Sequence, residues 1–317
     1  MADMASRLQS NAQYITGATL RTTLTTAISS FIESKRAEQL SNCTIADYLN
    51  TYKKFLSFLG EDPPIQSIEA DVIVKFLGSV AGVVSEKTAL NYHVGLSSLW
   101  EYCLRSGMVN ENVVRQVRPP KPQAPAIIPY AQTEMESILA AAKVDSHPFR
   151  DTAIVLFLLD TGIRASELCH LVLKDVSLYS RKVIVVAGKG NKTRHLPFSI
   201  RTGEVIGEYL QARQVDITRK NWTKPLFTGR AGNPLTRSGL CTMLNRLGEI
   251  SQIPGVHPHR FRHTFSINFL RNGGSIYTLQ AILGHTSLDM VKRYLAIAQV
   301  DIDRDHAKAS PVMRWSL

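Results

Sequence analysis

The sequence predicts a mainly α protein with a small β-sheet, divided between a four-helix N-terminal domain and a mixed α+β C-terminal domain. Three observations predict it. Apolar residues recur at intervals of three and four along most of the chain, a single strand-turn-strand pattern interrupts them, and a proline-rich stretch near residue 120 separates two halves. A chain of 317 residues is also longer than one core usually serves.

Residues 1–18 are polar and small, demand no structure, and read as a flexible tail. From Thr19 onward, Leu20, Leu24, Ala27, Ile28, Phe31 and Ile32 draw a first helix that ends in charge between Glu33 and Gln39. Asn42 or Thr44 can cap a second, whose apolar stripe runs through Ile45, Tyr48, Leu49, Tyr52, Phe55, Leu56 and Leu59 up to Gly60. Pro63 and Pro64 force a loop, and Ile68 to Val80 reads as a third helix. Ser85 with Thr88 opens a long fourth, with Leu90, Val94, Leu99, Trp100 and Leu104 inward. Residues 19–112 thus form the first domain.

Residues 113–129 hold Pro119, Pro120, Pro122, Pro125 and Pro129 among Arg115, Arg118 and Lys121, which favours an extended, stiff, basic linker. The second domain, 130–317, begins with a helix near Thr133, where Glu136 completes a capping-box spacing. Residues 150–159 are apolar on nearly every side and belong at the centre of a core. Thr161-Gly162 breaks that helix; Arg164 opens the next, with Glu167 one turn later on the same side. An arginine so close to a buried run needs a partner, since burying it unpaired costs on the order of several kcal/mol. Lys182–Ala187 and Arg194–Phe198 read as two strands joined across Gly188–Lys192. A helix over 202–213, a short strand at Leu226-Phe227 and a helix over 236–250 follow.

Charge narrows the partners. Lys and Arg number 37 against 26 Asp and Glu, with pI near 9.6, which favours a polyanion. The excess is local: 9 basic and 11 acidic side chains occupy residues 1–112, whereas 25 and 15 lie from 126 on and three more basic ones lie between. The four cysteines, Cys43, Cys103, Cys169 and Cys241, form no C-x-x-C pair and read as buried thiols of a cytoplasmic protein. No apolar run is long enough to span a bilayer and the N-terminus lacks a signal-peptide core, so no membrane is expected.

The densest chemistry lies between His257 and Tyr294. His259 and Arg262, three apart, share one helical face and can converge on a small anion. Gly273-Gly274 ends their helix; a second, Ser275 to Leu283, stops at Gly284 and leaves His285 at its end; a third, from near Ser287, carries Tyr294. Two alternatives fail on pattern. The Gly-Lys-Gly turn lacks G-x-x-x-x-G-K-[ST] and joins two strands, so it is no nucleotide loop. His259 and His263 have zinc-compatible spacing, but H-E-x-x-H is absent and no carboxylate or thiolate set lies nearby. His263 therefore reads as a core or supporting histidine.

PHRFRHTF followed by LGHTSLDMVKRY resembles the C-terminal signature of the tyrosine recombinases, the phage-integrase and Xer-like family: His-x-x-Arg, then Leu-Gly-His, then tyrosine nine residues on, as from His285 to Tyr294. Thr161 to Leu168 matches the family's Thr-Gly-hydrophobic-Arg-x-x-Glu-Leu, and Gly188 to Arg194 looks like its lysine hairpin. The resemblance covers roughly residues 20–300 and implies a SAM-like helical core-binding domain plus a catalytic domain. It implies Tyr294 as nucleophile, Arg164, Arg262 and His285 on the phosphate, His259 as base or positioner of the tyrosine, Lys189 as acid, and Glu167 as support for Arg164.

Such a set breaks a phosphodiester without metal, nucleotide or other cofactor, through a nucleophile in line, cations on the phosphate and an acid for the leaving oxygen. The phosphotyrosine bond keeps the energy of the broken one. The resemblance further implies double-stranded DNA as partner, a homotetramer on paired sites and a monomer or weak dimer otherwise. Lys53, Lys54, Lys87, Arg105, Arg118 and Lys121 are the DNA-contact candidates. The residues after Tyr294 either dock on a neighbouring protomer or pack on their own domain. With no large extra N-terminal module expected, integration or excision of a mobile element is the leading role. Xer-like resolution of replicon dimers, or DNA binding without catalysis, are the alternatives.

Overall fold

Helix-period apolar stripes do become helices, and they gather into two units, residues 1–125 and 126–317. The computed structural model describes residues 22–123, 126–186, 193–284 and 288–298, with residue 306 and residues 310–312. The expectations for residues 1–21, Lys189 and His285 lie outside the described residues.

In the first unit, α1 (Leu24–Ala37) is capped by Thr23 and α2 (Asn42–Leu59) by Ser41, whose hydroxyl accepts from the Thr44 amide. Ser41 thus takes the capping role expected of Asn42 or Thr44, because Asn42 is already helical. A turn of 3-10 helix, Ile65–Ser67, delays α3 (Ala70–Val80) by two residues relative to expectation. Ser85 caps α4 (Glu86–Arg105) as expected. Phe31, Tyr52, Phe55, Phe76 and Trp100 fill the core. Leu49 and Val94, expected inward, are exposed: Leu49 lies at the edge of its stripe, and Val94 falls two residues from both Tyr92 and Leu96, on the far side of α4. The start of the expected linker also differs. Val113–Gln116 is a 3-10 turn with Val114 buried in this core, since the prolines that would forbid it begin only at Pro119.

In the second unit, the side chain of Glu134 accepts from the Ala131 amide and opens α5 (Gln132–Val144); Glu136, expected in that role, instead accepts from Gln132. The apolar helix α6 (Pro148–Thr161) is central, with Ile154, Phe157 and Leu158 fully buried. It ends at Gly162, in the left-handed region, and α7 (Ala165–His170) follows. β1 (Val176–Ser177), too short to show a period, pairs antiparallel with β2 (Lys182–Val186), which pairs antiparallel with β3 (Thr193–Pro197) from Lys182↔Pro197 to Val186↔Thr193. α8 (Ile200–Ala212) and α9 (Arg237–Ser251) complete the main core. Arg246 on α9 pairs with Asp145 and with the buried Asp151 of α6, which ties three helices together. Leu226 and Phe227 are buried but form no strand. Two isolated bridges, Val172↔Pro225 and Thr228↔Pro234, and a bond from the Leu226 amide to the Leu171 carbonyl satisfy the backbone there.

Three helices close the unit. α10 (Pro258–Arg271) starts on a proline, α11 (Ile276–Leu283) is capped by Ser275 and stops at Gly284 with φ 64°, and α12 is Asp289–Ala298. Ile267, Leu270, Leu279, Leu283, Val291 and Ala298 pack them into a second, smaller core. No described helix is long and apolar enough to cross a membrane.

Candidate active site

The break at Gly162 positions the first cation. With the chain turning there at φ 59°, Arg164 becomes the residue that caps α7: its amide donates to Glu167 Oε2 (3.0 Å) and its Nη1 to Oε1 (3.0 Å). Arg164 is 38 % exposed, so its head borders solvent. Arg262, on the first turns of α10, is the opposite case. It is 2 % exposed, and its Nη1 donates to the Gly162 carbonyl (2.7 Å) and Nη2 to the Leu283 carbonyl (2.8 Å). Burial, with the charge of Arg164 adding to it, brings its pKa down to about 10, which leaves it cationic at neutral pH. Arg164, Arg262 and His259 border one cleft of about 410 Å³, with Arg237, His257 and Cys241; Cys241, like Cys43, is exposed rather than buried as expected, and Cys103 and Cys169 are buried. A larger hollow of about 710 Å³, beside Tyr179, Leu210 and Trp222, gathers no such cluster of cations.

Tyr294 lies 1 % exposed in the small core, and its hydroxyl is hydrogen bonded to His263 Nδ1 at 2.9 Å. Burial raises the phenol pKa, with Arg262 and Ser266 pulling the other way. His263 is itself held near pKa 4 by burial and by His259, His257, Arg262 and Arg293 around it. The His259 ring meets the His263 ring edge-on at 4.5 Å, so His259, His263 and Tyr294 form a row. The pKa of His259 is also lowered, by burial and then by the charge of Arg262.

The site residues expected from the sequence thus divide. Arg164, Glu167, His259, Arg262 and Tyr294 come from three helices, α7 with its cap, α10 and α12, to one neighbourhood; Lys189 and His285 lie outside the described residues. Two neighbours of these residues have partners that the sequence did not reveal. His263, read as a supporting histidine, is the group on the Tyr294 hydroxyl. Arg194, expected only as the end of the hairpin motif and the first residue of the returning strand, donates to both oxygens of Glu167 (2.9 and 2.6 Å). A signal existed: Arg194 shares the inward face of β3 with the buried Leu196 and faces the buried Val185 across the ladder, a position where a cation needs a partner. Among the DNA-contact candidates Lys53, Lys54, Lys87, Arg105, Arg118 and Lys121 are all exposed, and Arg105 is paired with Glu101 at 3.4 Å.

A cleft edged by guanidinium groups is the site of a protein that handles an anionic group. Residues 130–300 match the model of the Phage integrase family, and the chain belongs to that family, the tyrosine recombinases, enzymes that break and rejoin DNA strands. It is 30 % identical over 288 residues to tyrosine recombinase XerC of Listeria innocua, covering 89 % of this chain and 95 % of that one. Tyrosine recombinase XerD of Pseudomonas aeruginosa is 28 % identical, over 86 % of this chain and 92 % of its own. Among solved structures, the Tn1549 transposon integrase in complex with transposon right end DNA shares the fold at TM-score 0.74 and 19 % identity, covering 92 % and 99 % of the two chains.

Proposed function

We propose that the protein is a site-specific DNA recombinase that cuts each strand through a 3′-phosphotyrosine intermediate on Tyr294 and reseals it to a different strand. The observation that carries this reading is one cleft bordered by Arg164, Arg262 and His259, with His259 leading through the ring of His263 to the Tyr294 hydroxyl. In the reaction the Tyr294 oxygen forms a bond to the phosphorus while the bond to the 5′ oxygen breaks. Arg164 and Arg262 carry the charge of the nonbridging oxygens, for which planar forks suit. His259 takes the phenol proton, His285 adds a hydrogen bond to the phosphate, and Lys189 gives a proton of its own to the leaving oxygen. The incoming 5′ hydroxyl of a second strand then reverses these roles. Because the phenol is 1 % exposed, cleavage on this reading includes a step in which α12 moves and the hydroxyl leaves His263.

Double-stranded DNA is the partner, gripped by a tetramer on paired sites, in a cytoplasmic setting. Integration or excision of a mobile element is the role this reading takes first. Dimer resolution is a second reading, supported by the near-full-length match to XerC. A nicked suicide duplex tests the chemistry. The wild type should accumulate a covalent adduct, and Tyr294→Phe should lose it with binding kept; an adduct that survives Tyr294→Phe contradicts the assignment. Transfer of the adduct to a second duplex separates a recombinase from a relaxing enzyme or a simple binder.

A further inference from the structure

The last three carbonyls at the end of α11 are each taken by a different arginine from a different element. Arg194 Nε donates to Ile282 (2.8 Å), Arg262 Nη2 to Leu283 (2.8 Å) and Arg164 Nη2 to Gly284 (3.3 Å). Such carbonyls lack helical partners and carry the negative end of the helix dipole, so cations belong there. Two of the three arginines border the cleft; Arg194 does not. It is 11 % exposed, and its fork is spent on Glu167, itself 12 % exposed. The fit is close: a Cβ on Gly284 would lie 3.3 Å from the Cδ and Nη1 of Arg194.

We infer that Arg194 is a positioning residue for strand cleavage, acting through Glu167 on Arg164. This rests on the cleft being the phosphate site. Glu167 Oε1 is shared between Arg194 Nη1 and Arg164 Nη1, and Oε2 between Arg194 Nη2 and the Arg164 amide. A carboxylate so occupied gives Arg164 a single side-chain bond. Remove the Arg194 fork, and Glu167 is free to take Arg164 in a two-pronged pair, the geometry that guanidinium and carboxylate prefer. Arg164 would then be drawn toward its own helix and away from the phosphate. Arg194 also joins β3 to the end of α11 through the Ile282 carbonyl, so one side chain ties three chain segments together.

The test is the single-turnover rate of covalent adduct formation on a nicked duplex, measured with DNA affinity and melting temperature on the full chain. Arg194→Met should lower the rate on the order of 100-fold, as a misplacement of about 1 Å does, with affinity unchanged. Adding Glu167→Gln to it should restore part of the loss, because the carboxylate no longer competes for Arg164. If Arg194→Met fails to fold, Arg194→Lys, which keeps the charge and loses the fork, is measured alone and with Glu167→Gln in the same way. A wild-type rate in the single variant, a loss that Glu167→Gln leaves untouched, or a loss of DNA affinity overturns the inference. The wild-type chain keeps the two readings apart: no adduct there, or an Arg164→Ala variant at full rate, refutes the phosphate site itself.

Discussion

His263 is neutral at neutral pH, and its ring nitrogen can therefore share a hydrogen bond with a phenol that keeps its proton. Its pKa of about 4 lies below the ordinary 6.5, so between those values the unfolded chain binds a proton that the folded chain refuses. The contribution is full above pH 6.5 and is lost as pH falls toward 4. His263→Phe removes the titration, so the acid-side decline of melting temperature should be shallower in that variant than in the wild type; equal slopes would contradict the assignment. Arg164, His259, Arg262 and Tyr294 were legible because each occupies a fixed interval within a short motif. His263 and Arg194 were not: the tyrosine is 31 residues from His263, and the partners of Arg194 lie 27 and 88 residues away, pairings that only the folded chain creates.

Among elements, the junction from α6 to α7 matters most, because the Gly162 carbonyl holds Arg262 and the turn aims Arg164. A Cβ at Gly162 would meet Phe265 Cδ1 at 2.4 Å, on a backbone at φ 59°. Gly162→Ala should therefore cost about 2 kcal/mol in chemical denaturation and slow adduct formation; a wild-type denaturation midpoint would show that the turn adapts. The helices themselves were readable from their stripes, since a period of three and four over ten or more residues is hard to produce otherwise. Their ends were less so. Ser41, Ala131 and Ser199 begin helices one to three residues away from where the sequence suggested, because a cap depends on which amide a side chain reaches. Leu226-Phe227 misled for a related reason: two apolar residues bury equally well without a ladder.

At the scale of the molecule, the two units have separate cores, the first built around Trp100 and Phe55 and the second around α6. Heating should give two transitions, and Trp100→Ala, which empties about 3–5 kcal/mol of packing, should lower one of them. A single transition that moves as a whole would argue for one cooperative body. The basic excess lies from residue 113 onward. If phosphate contacts dominate DNA binding, affinity should fall steeply and linearly on a log-log plot against salt; a flat dependence would point to another partner.

Mass mapping of the trapped protein-DNA adduct bears most directly on the central claim. After digestion of both polymers, the residual nucleotide should be found on the peptide that carries Tyr294, attached through its phenol oxygen. A nucleotide on Tyr277 or on any other side chain would contradict the whole arrangement of the site.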